Sequence, residues 1–130
     1  MTGKPTLTPY FSYVDAKAAM AFLESAFGFE PVQSYDGEGG RLVHGEMRFG
    51  DGVIMLGTVD HPPARQSPGV YVVVADVDAH YERAKAAGAD IVYPPEDTEF
   101  GTRRYRARDI EGHEWSFGTY QPQTEPPQWG

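Results

Sequence analysis

The sequence predicts an α+β fold of two βαβββ modules that form a curved mixed sheet around a cavity. Three observations predict it. The order strand, helix, three strands occurs twice, over about 6–58 and 69–120, on either side of a proline-rich stretch at 59–68. Each predicted helix carries the same punctuation, with Asp15 and Gly28 bracketing the first and Asp76 and Gly88 the second. Asp is a good N-cap, and Gly takes the left-handed position that ends a helix. Finally, "GDGVIMLG" in the first half is answered by "IEGHEWSFG" at the closing hairpin of the second. A repeat outweighs element-by-element arguments about topology. One such unit makes a half-open sheet with a helix on its outer face, and two enclose a cavity on the concave side.

The elements follow in order. "TLTPYFSYV" (6–14) alternates aromatic and polar residues, as a strand does. In "AKAAMAFLESAFG", Ala19, Phe22, Leu23 and Ala26 recur at helical spacing. "FEPVQSYD" reads as a strand in which Pro31 marks an edge or a bulge. "GEGG" (37–40) is a hairpin turn, and strands at about 41–49 and 53–58 flank Asp51–Gly52, a type I′ signal. "VDHPPARQSP" is a linker. "GVYVVVA" then reads as a buried strand, "VDAHYERAKAA" as a helix, "ADIVYP" as a short strand and "PEDTEFG" as a loop. "TRRYRARD" and "HEWSFGTY" are the last two strands, joined at Glu111–Gly112. Residues 1–120 therefore form a single domain, and 121–130, with three prolines, a tail. Trp129 in that tail either folds over a cavity or hangs free.

Composition narrows the function. The 130 residues contain no cysteine, so disulfides, thiolate metal sites and cysteine nucleophiles are excluded. Eleven basic residues against 19 acidic ones, a net charge of −8, argue against a nucleic-acid partner. No apolar run approaches the roughly 20 residues of a membrane helix, and the N-terminus lacks the apolar core of a signal peptide, so a cytoplasmic location is expected. The glycines of "GEGG" do not open a helix and do not form a phosphate cradle.

"HGEMRFGDGVIML" in the first half, with "VADVDAHYERAKAAGADIVYPPEDTEFGTRRYRARDIEGHEWSFGTY" in the second, resembles the vicinal oxygen chelate superfamily. This group includes glyoxalase I, extradiol dioxygenases, fosfomycin-resistance enzymes and bleomycin-resistance proteins, and the likeness covers about residues 6–120. The usual D-P-x-G before the last strand has Ile110 in place of proline. The resemblance implies one metal ligand on each of four strands. Counting from Asp15, Asp76 and Asp109, those positions fall on Thr8, Glu46, Val70 and Ser116, of which only Glu46 is a good ligand type. His44 could assist from the same strand face.

Strand alternation assigns the faces. Leu7, Phe11, Tyr13, Val43, Met47, Phe49, Tyr105, Ala107, Trp115 and Phe117 are expected on the helix side. Facing the cavity are Thr8, Tyr10, Ser12, Leu42, His44, Glu46, Arg48, Arg104, Arg106, Arg108, Glu114, Ser116 and Gly118. The candidate ligand-binding set is Tyr10, His44, Glu46, Arg48, Phe100, Arg104, Arg106, Glu114 and Ser116, with Glu46 also expected to neutralise an arginine across the sheet. His80 is assigned to the surface, and His61 and His113 have no partner in the sequence.

Two readings follow. The first is a bleomycin-resistance-type protein that sequesters an aromatic or cationic antibiotic or metabolite without catalysis and without a cofactor. The second is a glyoxalase- or dioxygenase-like enzyme acting on a small oxygenated substrate. It would use a divalent metal such as Zn, Ni, Mn or Fe, or else Glu46 as general base with Arg106 or Arg48 steadying an enolate. The resemblance further implies a homodimer with binding clefts at or near its interface.

Overall fold

The structure is a computed structural model that describes residues 7–63 and 69–122. The first module runs β1 (Tyr10–Tyr13), α1 (Ala16–Phe22), a π-helical turn (Leu23–Phe27), β2 (Glu30–Asp36), β3 (Leu42–Phe49) and β4 (Gly52–Thr58). The second runs β5 (Val70–Val73), α2 (Val77–Ala86), β6 (Asp90–Asp97), β7 (Arg103–Arg108) and β8 (Glu114–Gly118). The sheet orders are β1-β4-β3-β2 and β5-β8-β7-β6. In each sheet the first pair is parallel and the other two antiparallel. The duplicated mixed α+β architecture is the one the repeat predicted.

Local chemistry sets these boundaries. Asp15 accepts a hydrogen bond from the Ala18 N–H (3.0 Å) and Asp76 from that of Ala79 (3.0 Å), satisfying donors that helix N-termini leave free. Gly28 (φ 84°) ends the π-helical turn in the left-handed conformation expected of it. Pro31 lies where the β2–β3 register slips, as proline in a sheet requires. The β3–β4 hairpin differs from expectation. Its left-handed residue is Gly50 (φ 58°), and among the described residues none other than glycine has positive φ, so Asp51–Gly52 do not form a type I′ turn. β6 is longer than predicted and continues through Pro94 and Pro95, because it is an edge strand and needs donors on one side only.

The helix-side faces of both sheets share one core. Phe11 of β1 stacks on Trp115 of β8 (ring centroids 4.9 Å apart), and Phe27 packs on Phe117 (4.9 Å). Tyr105, Ala107, Met47, Tyr13, Trp115 and Phe117 are fully buried, as the alternation predicted. Three expectations fail here. Leu7 is 86 % exposed because it precedes β1. Leu42 is buried while Val43 is exposed, because a bulge pairs Tyr35 with His44 but Asp36 with Leu42 and so reverses the alternation at that point. The valine run of β5 is only partly buried, since β5 is also an edge strand.

A buried polar joint ties the modules together. Asp109 accepts hydrogen bonds from the Tyr13 hydroxyl (2.7 Å), Trp115 Nε1 (3.0 Å) and the N–H groups of Glu111 (3.0 Å) and His113 (3.1 Å). Burial and the adjacent carboxylate push the Tyr13 hydroxyl pKa far up, so it remains a donor. Glu111, next to Ile110, accepts from the N–H groups of Val14 (2.7 Å) and Asp15 (2.8 Å) at the start of α1. His80 belongs to the same junction rather than to the surface. Its Nε2 donates to the Phe27 carbonyl (2.8 Å) and its Nδ1 accepts from the Tyr105 hydroxyl (2.6 Å). His113, without a partner in the sequence, is buried against Phe11 and Tyr13 and donates to the Ser12 carbonyl (3.3 Å). No helix among the described residues is long and apolar enough to cross a membrane. Residues 64–68 of the linker, and Trp129 with the rest of 123–130, lie outside the described residues.

Candidate functional site

The candidate residues divide into two groups, one on the concave face of each sheet. On the first, Glu46 of β3 lies between Gln33 of β2 and Met55 of β4. Glu46 accepts hydrogen bonds from His44 Nε2 (2.8 Å) and from Gln33 Nε2 (2.9 Å). Tyr35 donates to Gln33 in turn (3.2 Å). The hydrogen bonds from His44 and Gln33 hold the Glu46 carboxyl below the usual carboxylate range. Among the described residues no arginine pairs with Glu46, and the expected neutralisation across the sheet is replaced by a histidine–carboxylate dyad. Arg48 turns to the sheet edge and pairs with Glu30 (2.8 Å). Tyr10, half exposed, sets its hydroxyl over Gly57.

On the second face, Arg106 of β7 lies between Tyr93 of β6 and Ser116 of β8. Its Nε donates to Ser116 Oγ (2.9 Å), and its guanidinium carbon stands 5.6 Å from the centre of the Tyr93 ring. Arg104 flanks the same ring at 5.7 Å and pairs with Glu96 (3.1 Å). Glu114 approaches Arg106 at 3.6 Å and Arg108 at 3.2 Å. Tyr71, Tyr93, Arg104, Arg106, Glu114 and Ser116 line a cavity of about 370 Å³. A neighbouring cavity of about 590 Å³ shares Tyr71 and Arg104 and extends to Phe100, which is 83 % exposed at a loop tip. Thus His44 and Glu46 do not line the cavity that holds Arg104, Arg106, Glu114 and Ser116, although sequence reasoning grouped them.

The strand register also corrects the positions assigned to metal ligands. Val70 pairs with Trp115 and packs on the core, whereas Tyr71, paired with Ser116, stands on the concave side. Glu46 and Ser116 are not equivalent, because Ser116 matches Met55 and Glu46 matches Arg106. Tyr10 and Tyr71, Met55 and Ser116, Gly57 and Gly118 each stand 61 positions apart. The matched concave positions are therefore Tyr10, Met55, Tyr71 and Ser116: two phenols, a thioether and a hydroxyl. This donor set does not fit a divalent cation, which requires carboxylates or imidazoles in such a fold. Among the described residues, no three His, Asp or Glu side chains converge as a metal site would need.

Sequence reasoning missed Tyr71, Tyr93 and Gln33. Tyr71 was one residue out of register, and Tyr93 and Gln33 sit beside bulges that break the alternation.

Comparison with known proteins agrees with this fold. An uncharacterized protein of Mycobacterium bovis is 32 % identical over 126 residues, covering 88 % of this chain and 83 % of its own length. The crystal structure of TioX from Micromonospora sp. ML1 superposes with a TM-score of 0.76 at 31 % identity, over 93 % of this chain and all of that one. The fosfomycin resistance protein FosX from Mesorhizobium loti shares the fold, with a TM-score of 0.69 at 19 % identity over 91 % of this chain and 93 % of its own. Residues 11–117 match the model of the Glyoxalase/Bleomycin resistance protein/Dioxygenase superfamily. With both modules inside that match, the chain belongs to this superfamily.

Proposed function

We propose that this protein is a glyoxalase-like enzyme that acts on a small oxygenated substrate by proton transfer, with Glu46 as the base. The observation that carries the reading is the chemistry of the concave faces. A protein that sequesters large apolar drugs presents mainly apolar and aromatic walls. Here the faces carry a His44–Glu46 dyad and an Arg106–Ser116 pair. Glu46 is ionised at neutral pH, and its lowered pKa suits it to abstract only acidic protons, such as one flanked by carbonyl or hydroxyl-bearing carbons. Arg106 supplies a fixed positive charge for the oxyanion that develops.

The base and the arginine lie on different modules, so the reading includes a homodimer in which the first module of one copy faces the second module of the other. The acidic dyad and the arginine-bearing β7 are complementary in charge.

Sequestration of an aromatic or cationic antibiotic is the second reading, favoured by the tyrosines on both concave faces, Tyr10, Tyr35, Tyr71 and Tyr93. One experiment separates the two. Chelator-treated protein is assayed with α-keto hemithioacetals and with catechols, before and after adding zinc, nickel, manganese or iron. Turnover that needs no metal and is lost in Glu46→Gln supports the first reading. Ligand-induced thermal stabilisation by polycyclic or cationic antibiotics, with no turnover, would replace it by the second. Turnover that appears only with metal would overturn the role given to Glu46. Native mass spectrometry of the same samples reads the oligomeric state.

A further inference from the structure

Arg106 differs from the other arginines of β7. Arg103 donates three hydrogen bonds to Asp78 and Asp97, Arg104 donates to Glu96, and Arg108 to Asp90. The one hydrogen bond of Arg106 among the described residues goes to the neutral hydroxyl of Ser116. Its nearest carboxylate, Glu114, stays at 3.6 Å and is held closer by Arg108, at 3.2 Å. A guanidinium carries five N–H donors in a planar fork that matches a carboxylate. Arg106 lines the 370 Å³ cavity, and its fork makes no further hydrogen bond among the described residues. Ser116 spends a lone pair on Arg106, which leaves its own proton free to donate to the same anion.

Beside this charge stand two flat walls. Tyr93 lies under the guanidinium groups of Arg104 and Arg106, and Tyr71 is held by its hydroxyl, which donates to the Tyr120 carbonyl (2.7 Å). Tyr71 and Arg104 also line the neighbouring cavity that includes Phe100, so the two cavities adjoin at these side chains. A large exposed aromatic lining a cavity contributes apolar area to whatever lies in it.

We infer that the substrate is an aryl carboxylate, its carboxylate held by Arg106 and Ser116, its ring between Tyr71 and Tyr93, and any longer apolar body extending to Phe100. This rests on the reading of the concave face as a small-molecule site and names the class of molecule it takes.

The test uses the full chain and four probes: benzoate, its neutral isostere benzamide, the cation benzylamine, and 4-phenylbutyrate. Amide chemical shifts locate binding and calorimetry measures it. Benzoate is expected to perturb Tyr71, Tyr93, Arg106 and Ser116 and to bind more tightly than benzamide or benzylamine. Arg106→Gln should weaken benzoate about tenfold or more, the value of one charge-assisted pair, and weaken benzamide much less. Glu114→Gln, which removes the competing carboxylate, should tighten it. 4-Phenylbutyrate should bind better than benzoate, and Phe100→Ala should erase that gain.

If benzamide or benzylamine binds at this face as well as benzoate does, or if Arg106→Gln changes nothing, the carboxylate assignment is wrong while the face remains a small-molecule site. If none of the probes perturbs this face, both readings fall. A gain that survives Phe100→Ala removes Phe100 from the site.

Discussion

Replacing Asp109 by alanine tests how the two modules are held together. Asp109 is 5 % exposed and accepts four hydrogen bonds, two from side chains and two from backbone N–H groups. Tyr13 and Trp115 are fully buried, so in Asp109→Ala their donors meet neither protein nor water. A buried donor left unpaired costs about 1–3 kcal/mol, and bonds to a charged acceptor fall at the upper end. Against this stands the cost of burying the carboxylate itself, which the substitution removes. Two stranded side-chain donors and a weakened 109–113 turn therefore amount to about 3–5 kcal/mol, the range found when one member of a buried charged cluster is removed. For a domain of this size that lowers the melting temperature by roughly 10–15 °C. Urea titration of the wild type, Asp109→Ala, Tyr13→Phe and the double variant measures both the loss and the coupling. The single Tyr13→Phe change should cost about 1–2 kcal/mol, and less when Asp109 is already alanine. A loss below about 1 kcal/mol for Asp109→Ala, or strict additivity in the cycle, would refute the account of Asp109 as the joint.

Other expectations can be checked alongside. Trp115→Ala should cost about 3–5 kcal/mol in the same titration, since it empties the centre of the shared core. His80 has a pKa lowered first by burial, so the unfolded chain binds its proton more readily. Stability from this group is present above pH 6.5 and falls as pH drops below it; His80→Gln should flatten that part of the pH profile. Gly57→Ala should destabilise by about 1–3 kcal/mol, because the added Cβ meets the Tyr10 hydroxyl and, at 2.8 Å, the Val43 carbonyl oxygen. Glu46→Gln should leave the melting temperature within a few degrees of wild type, since Glu46 reaches the surface and anchors nothing in the core.

The fold was legible because its signals are local and occur twice. Asp15, Gly28, Asp76 and Gly88 mark both helices by hydrogen-bonding and dihedral rules that hold whatever packs against them. Phe11, Tyr13, Trp115 and Phe117 alternate cleanly because their strands are regular and covered on one side. What escaped depends on register. A single bulge moved Leu42 into the core and Val43 out of it, and a slip of one residue on β5 hid Tyr71 behind Val70. The buried cluster of Asp109, Tyr13, Trp115 and His113 brings together residues as much as 102 positions apart, and nothing in local spacing announces such a meeting. The candidate site was legible as a set of residue types but not as two faces. Alternation reports which side of a strand a residue occupies and says nothing of which sheet it looks across.

Among the described residues the two sheets share no strand pairing, and what joins them is side-chain packing and a few buried polar contacts. A cut in the linker after Pro63 therefore divides no ladder among the described residues. Severed there, each half would keep its own backbone hydrogen bonds but bare the aromatic surface of Phe11 and Phe27 on one piece and of Trp115 and Phe117 on the other. Two such pieces are matched adhesive surfaces: expressed separately, they should find each other and rebuild the whole. The molecule is in this sense an assembly of two parts that happens to be written as one chain.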